Sequence, residues 1–425
     1  MLDTRQGQRD SVAKITHCLR AAAVRKIDLN NFHVATNGMV RDINSRILLN
    51  LVRKHQPVSR ADLTRYSGLQ RSTVSVITEQ LLSKRWLKEG AVGDLPRGRK
   101  PTFLHLNAER CGAVGVAVQH DITMLGLATL DSQFIAQETI PTGKDPDEFI
   151  SRLSRCIVDL MRSRPQMTYG GIGISLPGRV DISTGRLIFA PSLTWNNLDL
   201  RTPIEAATGL PVQLENAANA CALAEAGSGK YTDHVNNLLA VVVSQGIGVG
   251  IILHGQLVRG AGGMAGEFGH VAQMLHGPRC RCGNEGCWEV LANNVAAVRY
   301  YTDEVTAHNG RGSRRNAAQP SFNDILRLAE KGDIKASNAL NRMAYHLGEG
   351  LAMLVAGLSP DFIVVVGEVT RAWTVVEPVI NEVLERRQLG GRCTRILPSD
   401  PETQPRLRGA VALVLQKYFS APPVS

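Results

Sequence analysis

Length, composition and charge limit what this chain can be. It has 425 residues, of which 44% are hydrophobic and 20% charged, so it can form two or three domains with their own cores. No segment approaches the roughly eighteen consecutive apolar residues of a membrane helix, and the opening MLDTRQGQRD lacks the apolar core of a signal peptide. We therefore expect a cytoplasmic protein without a membrane partner. Its eight cysteines are expected to be thiols or metal ligands rather than disulfides.

The formal charge of +10 is concentrated at one end of the chain. Residues 1–104 contain 19 lysines and arginines against 8 aspartates and glutamates, a net charge of +11. The remaining residues contain 29 against 30, a net charge of −1. This asymmetry predicts a polyanion-binding module joined to a nearly neutral body, and a solvated basic tail is the alternative for charge alone.

Residues 1–40 are interpreted as an N-terminal extension that is partly disordered, and a DNA-binding domain is predicted over residues 41–107. Apolar residues recur at helical spacing in RDINSRILLNLVRKH (41–55), and Ile47 is among those expected to face inward. Ser59 and Asp62, three positions apart, indicate the start of a second helix. Gly68 is expected to end that helix.

The third helix is predicted over residues 71–84, with Val74, Ile77 and Leu81 facing inward. Two helices, a turn and a helix with small polar outer residues are typical of a helix-turn-helix, whose last helix enters the major groove of DNA. A small helical cap is the alternative. The side chains expected to be exposed toward base edges and phosphates are Arg71, Ser72, Thr73, Ser75 and Thr78.

Two short strands, WLKEG and TFLHL, follow the third helix and predict a wing. The segment AVGDLPRGRKP between them contains Arg97, Arg99 and Lys100 beside glycine and proline. Flexible cations of this kind suit a narrow minor groove, where the potential is most negative. A solvated linker explains RGRK when it is taken alone, but its place directly after a helix-turn-helix favours DNA contact.

Strands and helices alternate in the rest of the chain, which indicates α/β architecture. AVGVAVQHDITMLGLATLD reads as two apolar strands with a turn near residues 119–121, and FIVVVGE and LRGAVALVLQKYF read as a buried strand and a closing helix. No internal repeat of 20–50 residues is evident.

Four segments of this body resemble the ROK family of sugar kinases and sugar-responsive repressors. They are GRVDISTGRLIFAPSLTWNNLDL, LENAANACALAE, VRGAGGMAGEFGHV and CRCGNEGCWE. The resemblance covers about residues 110–420, and the preceding helix-turn-helix is similar to the repressor branch. It implies a two-lobed, actin-like ATPase fold with a sugar cleft between the lobes. The small lobe would comprise residues 108–220, closed by a C-terminal helix over 407–420, and the large lobe residues 221–406.

The segment CRCGNEGCWE predicts a metal site. Cys280, Cys282 and Cys287 supply three soft ligands, and tetrahedral zinc needs a fourth. On sequence alone His276 is a candidate for that position, whereas the family resemblance assigns His270. Three thiolates and one imidazole leave no position for water, so the Zn²⁺ would be structural rather than catalytic. Unligated cytosolic thiols are the alternative.

The family resemblance places Asn216, Glu267, His270 and Glu289 around the sugar. Carboxylates and amides suit this task because each forms a directed hydrogen bond with a hydroxyl group. Taken singly, each of these polar residues has a plainer interpretation as an exposed side chain.

The elements of phosphotransfer are altered. In the family's kinases the catalytic base is the aspartate of an E-N-D-A-N segment, and Ala217 occupies that position here. The phosphate loop after the first strand of the body reads Gln119-His120-Asp121 rather than Asp-Gly-Gly-Thr, and two later glycine turns also depart from the kinase pattern. No catalytic residue and no ATP cofactor are therefore expected.

These observations predict a sugar-responsive repressor of carbohydrate uptake or catabolism genes. It would bind palindromic operator DNA as a homodimer or a dimer of dimers. One alternative is an active sugar kinase of the hexokinase type with a DNA-binding domain, and another is a repressor controlled by docking of a protein partner. The effector stays open between a pentose such as xylose and derivatives of N-acetylglucosamine.

Overall fold

The computed structural model describes residues 37–92, 101–227, 236–309, 320–387 and 394–419. The N-terminal domain consists of α1 (Asn37–His55), β1 (Val58–Ser59), α2 (Arg60–Ser67), α3 (Arg71–Ser83), β2 (Leu87–Val92) and β3 (Thr102–Leu106). Its strands form an antiparallel sheet in the order β1-β3-β2. Three helices followed by a β-hairpin are the arrangement of a winged helix-turn-helix.

Local signals explain these helices well. Ser59 and Asp62 form a reciprocal capping box at the start of α2, and Gly68 ends that helix with φ of 71°, a left-handed conformation that favours glycine. The prediction for Ile47 is wrong, because its side chain is 42% exposed. The inner face of α1 is formed by Leu48, Leu49 and Val52, and Ile47 lies about 150° around the helix from the middle of that face.

The small lobe is built on strands that follow the N-terminal domain. Its elements are β4 (Cys111–Val118), β5 (Ile122–Thr129), β6 (Phe134–Pro141), α4 (Pro146–Arg162), β7 (Thr168–Leu176), β8 (Arg179–Asp181), β9 (Arg186–Ala190), β10 (Trp195–Asp199), α5 (Arg201–Thr208) and β11 (Val212–Asn216). The main sheet has the order β11-β7-β4-β5-β6, and β8, β9 and β10 form a separate small antiparallel sheet.

The large lobe begins with the helix that leaves β11. Its elements are α6 (Ala217–Gly227), β12 (Leu238–Val243), β13 (Ile247–Leu253), β14 (Gln256–Leu257), α7 (Trp288–Ala292), α8 (Asn294–Asn309), α9 (Phe322–Glu330), α10 (Ile334–Leu358), β15 (Phe362–Val366), α11 (Trp373–Arg387) and β16 (Arg395–Pro398). The sheet order is β14-β13-β12-β15-β16. Helix α12 (Pro405–Phe419) ends the described chain.

The two lobes have the same sheet topology. In each lobe three consecutive strands pair antiparallel, and two later strands extend the sheet from the first of them in parallel. The absence of a short repeat in the sequence is consistent with this, because each duplicated unit spans about one lobe. The fold class predicted from the sequence, a two-lobed α/β protein with an N-terminal winged helix-turn-helix, is confirmed.

Helices α6 and α12 pack between the two sheets. A Cβ atom at Gly250 of β13 would lie 2.1 Å from the carbonyl oxygen of Ala218 in α6. A Cβ atom at Gly173 of β7 would lie 1.8 Å from the carbonyl oxygen of Ala410 in α12. Glycine at these two positions therefore allows one helix to lie directly on each sheet, and α6 connects the C-terminal end of β11 to the large lobe.

The winged helix-turn-helix packs directly on the body. Apolar residues of α1, α3 and the wing share one core with β4, β5 and α12. The carbonyl oxygen of Arg85, just after α3, accepts hydrogen bonds from Asn107 Nδ2 at 2.8 Å and from Cys111 Sγ at 3.0 Å. The rings of Trp86 and Tyr418 pack against each other at a tilt of 37°, with their centroids 4.0 Å apart. The segment that follows α3 is thus attached to the first strand of the small lobe. Within the described residues, no helix combines the length and apolar character needed to cross a membrane.

Candidate functional site

Four predicted metal ligands converge in the large lobe. One ligand atom from each of His270, Cys280, Cys282 and Cys287 lies within 4.8 Å of all the others. Cys280 Sγ is 3.7 Å from His270 Nδ1, and Cys282 Sγ is 3.7 Å from Cys287 Sγ. Neighbouring ligands on tetrahedral zinc, with bonds of about 2.0–2.3 Å, are separated by about 3.5–3.8 Å, so the four residues could hold such an ion. His276 is exposed and does not belong to this group.

The local backbone brings the cysteines together through two left-handed glycines. Gly283 has φ of 99° and follows Cys282, while Gly286 has φ of 67° and precedes Cys287. A Cβ atom at Gly286 would lie 1.8 Å from the carbonyl oxygen of Met274, so no other residue fits there without displacing the chain. Burial, together with the nearby Cys282 thiol, raises the pKa of Cys287 to about 12. A divalent cation opposes this effect because it binds the thiolate.

His270 connects the metal group to the predicted sugar residues. Its Nδ1 faces Cys280, whereas its Nε2 is 3.7 Å from Glu267 Oε2. The two ring nitrogens therefore lie on different sides, Nδ1 toward the cysteines and Nε2 toward Glu267. If Nδ1 bound a metal, Nε2 would still be available to a second ligand. Glu267 is exposed, so its carboxylate is open to hydrogen bonds from hydroxyl groups.

Glu289 lies next to the same cluster and is held by the backbone. Its Oε2 accepts a hydrogen bond from the amide of Ile247 at 3.0 Å, and its Oε1 is 3.8 Å from Cys280 Sγ. Trp288, completely buried between Cys287 and Glu289, donates its indole N–H to the carbonyl of His346 at 3.0 Å. The buried Trp288 side chain thus fixes together the positions of a candidate metal ligand, Cys287, and of a residue predicted to bind sugar, Glu289.

Asn216 lies in the small lobe, at the end of β11. Its Oδ1 accepts from the amide of Ala218, and its Nδ2 donates to the carbonyl of Gly178 at 2.7 Å. Among the described residues, no hydrogen bond joins Asn216 to Glu267, His270 or Glu289. The structure therefore groups those three with the metal ligands and leaves Asn216 on the opposite lobe. Ala217 begins α6 immediately after it.

Sequence reasoning missed an ion pair between the lobes. Glu215 is only 2% exposed, and its Oε2 accepts from Arg259 Nε at 2.8 Å. Its Oε1 accepts from Asn219 Nδ2 at 3.0 Å and from the amide of Asn216 at 3.0 Å. Glu215 is on β11 of the small lobe and Arg259 follows β14 of the large lobe. The sequence did contain a signal for this pair. Glu215 lies in the segment LENAANACALAE, directly before Asn216, and Arg259 lies in the segment VRGAGGMAGEFGHV.

The two turns that differ from the nucleotide-binding pattern of the family's kinases form hydrogen bonds within the protein. Gln119 accepts a hydrogen bond through its Oε1 from Arg406 of α12 at 2.9 Å, and its carbonyl accepts from Thr142. His120 and Asp121 pair with each other at 2.6 Å on the exposed side of this turn. In the second turn, the carbonyl of Gln245 accepts from Asn293 Nδ2 at 2.7 Å.

The face of α3 predicted to contact DNA is present, with one correction. Arg71, Ser72 and Ser75 are exposed and Thr73 is half-buried. Thr78 was predicted to be exposed but is completely buried, and its hydroxyl has no hydrogen-bond partner among the described residues. The physical reason is helical position. Thr78 lies four residues after Val74 and three before Leu81, both of which are buried, so its polarity was a poor guide to its direction.

The wing and helix α2 lie beside this face of α3. Arg97, Arg99 and Lys100 lie outside the described residues, so the wing tip stays a prediction. Arg60 of α2 forms ion pairs with Glu79 of α3 at 2.7 Å and with Glu89 of the wing at 3.1 Å. Arg60 thereby ties the second helix of the motif to both elements that would touch DNA.

Comparison with known proteins gives consistent results. The xylose repressor of Bacillus spizizenii is 30% identical over 392 residues, which cover 91% of this chain and 98% of the repressor. A solved ROK family transcriptional regulator, a homologue of the Escherichia coli MLC protein, covers 90% of this chain and 98% of its own with a TM-score of 0.77 at 25% identity. A ROK family glucokinase from Streptomyces griseus, solved with glucose and AMPPNP, covers 71% of this chain and 98% of its own, with a TM-score of 0.62 at 27% identity.

The family profile described as ROK family matches residues 113–417, which include both lobes and α12. The repressor and the solved regulator cover about nine-tenths of the chain, so each also extends into the winged helix-turn-helix that precedes the profile. The chain belongs to the ROK family.

Proposed function

We propose that this protein is a transcriptional repressor that binds operator DNA through α3 and the wing and is released by a sugar. The observation that carries this proposal is the attachment of a DNA-reading helix to a body with altered phosphotransfer elements. The carbonyl of Arg85 is bonded to the start of β4, and the other end of β4 leads to Gln119 at the former phosphate loop. The name of the Bacillus repressor makes xylose the first effector to test.

The sugar is proposed to bind between the lobes, contacting Asn216 from one side and Glu267, His270 and Glu289 from the other. A ligand that bonds to both sides favours the closed arrangement of the lobes, and this differential affinity is what shifts the equilibrium between two states. The Glu215–Arg259 ion pair joins the two lobes beside this gap, so a contact between the lobes next to Asn216 is present without a sugar. In a homodimer, closure would change the spacing of the two α3 helices and so the fit to a palindromic operator.

The metal group is proposed to hold structural Zn²⁺. Three thiolates and one imidazole fill a tetrahedral shell, which suits a structural site rather than a catalytic one. The role of such an ion would be to keep the loop of residues 280–287 folded, and with it the orientation of His270 and the position of Glu289. Loss of the metal should therefore weaken sugar binding although no metal touches the sugar.

We infer that phosphotransfer is absent. Ala217 offers no group that accepts a proton from a sugar hydroxyl, and the loss of a general base alone lowers a rate by about 10²–10⁴. Arg406 donates a hydrogen bond to the side chain of Gln119, in the turn that would bind the triphosphate in a kinase. The glucokinase-like body favours one rival, an active sugar kinase. A coupled assay of ADP release with xylose, glucose and N-acetylglucosamine separates the two, because turnover above the no-sugar background would support the kinase.

The deciding experiment is affinity selection of sheared DNA from the source genome by full-length, zinc-loaded protein. Salt is held at a physiological concentration because nonspecific phosphate binding falls steeply with salt. Recovery of a few palindromes beside carbohydrate genes supports the proposal, and their release by a sugar identifies the effector. A Glu267→Gln variant should bind the same DNA but lose release by sugar, while uniform recovery of all sequences would contradict the assignment as a repressor.

A further inference from the structure

We infer that Val76 of α3 reads a thymine methyl group in the operator, an inference that rests on the proposed function. Val76 is 51% exposed. The buried side of the same helix is formed by Val74, Ile77, Thr78 and Leu81. With 3.6 residues per turn, Val76 lies close to the middle of the face opposite that buried stripe. This is the face that a recognition helix turns toward base edges.

The neighbours of Val76 leave it accessible to the floor of a groove. Ser72 precedes it by four residues and Ser75 by one, and both are exposed. Residues three and four apart are neighbours on a helix surface, so on its N-terminal side Val76 is flanked by two short side chains, those of Ser72 and Thr73. Short neighbours allow the helix to approach the bases closely, which a contact by the compact valine side chain requires.

The acidic neighbour on the other side is neutralised. Glu79 follows Val76 by three residues, and its carboxylate is paired with the guanidinium of Arg60 at 2.7 Å. Arg60 is shared with Glu89 of the wing at 3.1 Å, so its guanidinium is already paired with two carboxylates. Arg71, at the start of the helix, is the nearer candidate for phosphate or guanine. The centre of the face is therefore left for contact with base edges.

Valine selects thymine for two reasons that act together. In the major groove, thymine alone presents an apolar group, the C5 methyl, and apolar side chains contact it. Guanine, adenine and cytosine present hydrogen-bonding groups at the corresponding edge, and covering these with valine would desolvate them without replacement. Single exposed apolar residues are common on protein surfaces, but this one lies at the centre of the face that would be buried on DNA binding.

The test uses the DNA that full-length protein selects from a random double-stranded pool. Each thymine of one half-site is replaced in turn by deoxyuridine, which keeps every hydrogen-bonding group and removes only the methyl. Affinity is measured by fluorescence anisotropy at fixed salt. We expect one thymine at which the replacement weakens binding by about 3- to 10-fold, the effect of losing one buried methyl. In the Val76→Ala variant this difference should become smaller at that thymine, because the shorter alanine side chain makes less contact with the methyl group, and no other thymine should show a new difference.

Val295→Ala is the matched control, because Val295 is 48% exposed on α8 of the large lobe, far along the chain from α3. It should keep the full dependence on the methyl group, and both variants should unfold at the temperature of the wild type. A Val76→Ala variant that loses as much affinity as the wild type on deoxyuridine replacement, or a wild type whose affinity depends on no methyl group, would overturn the inference and leave the repressor proposal standing. Failure to enrich any sequence would overturn both.

Discussion

The contact between Trp288 and Gly350 provides a direct test of how the body supports the site. A Cβ atom at Gly350, in the middle of α10, would lie 1.9 Å from Cε2 of the Trp288 ring. Ordinary contacts at this point need about 3.4–4 Å, so Gly350→Ala forces the indole or the helix to move. The indole N–H would then lose its hydrogen bond to the carbonyl of His346.

The magnitude follows from these two effects. Overpacking costs about 1–3 kcal/mol, and a lost hydrogen bond costs about 1 kcal/mol. Replacing glycine by alanine within a helix returns about 1 kcal/mol. We expect Gly350→Ala to lower the free energy of unfolding by about 2 kcal/mol. Because Trp288 lies between Cys287 and Glu289, the variant should also lose zinc at a lower chelator concentration and respond less to sugar.

Gly357→Ala is the matched control on the same helix. Gly357 is exposed, and nothing lies within 4 Å of the position its Cβ would take. This variant should keep wild-type zinc retention and gain at most about 1 kcal/mol of stability. Urea unfolding and metal analysis after dialysis against a chelator measure both effects. If Gly350→Ala matched Gly357→Ala in stability and zinc content, the argument that Trp288 is wedged against α10 would be refuted.

Three further predictions concern single residues. Thr78→Val should raise the free energy of unfolding by about 1 kcal/mol, because it replaces a buried hydroxyl that has no partner among the described residues, while operator affinity in an anisotropy titration stays unchanged; a loss of affinity would mean that Thr78 contacts DNA after all. His270→Ala should abolish tight zinc binding and His276→Ala should not, as measured by metal content, and the opposite result would reassign the fourth ligand. Ala217→Asp should release no ADP above background with any sugar tested, since Gln119 remains bonded to Arg406, and turnover in a coupled assay would show that one carboxylate was all the kinase lacked.

Much of the site could be predicted from the sequence because its signals are local. The cysteines at 280, 282 and 287 are separated by few residues, so the chain between them can bring them together with little help from the rest of the fold. The capping residues Ser59 and Asp62 act on the next turn of their own helix, and α3 was predicted to within one residue at its end. Such features depend on neighbours along the chain and are visible in its pattern.

Other features depended on contacts between distant segments. Glu215 and Arg259 are 44 residues apart, and neither the burial of the acid nor its partner follows from the residues around it. The position of Trp288 against Gly350 is equally invisible in the motif that contains it. The residues around the cysteines do not decide between His270 and His276 as the fourth ligand. Only the three-dimensional arrangement shows which imidazole lies near the thiols.

The sequence by itself determined the class of this protein: a basic helix-turn-helix followed by an α/β body that contains a cysteine-rich loop with the spacing of metal ligands. The tertiary structure alone decided that both lobes have one sheet topology, that Thr78 points inward, and that α3 is bonded to the first strand of the body. The physical reason is the range of the interactions. Propensity, capping and ligand spacing act within a few residues, whereas burial and ion pairing are set by segments that meet only when the chain has folded.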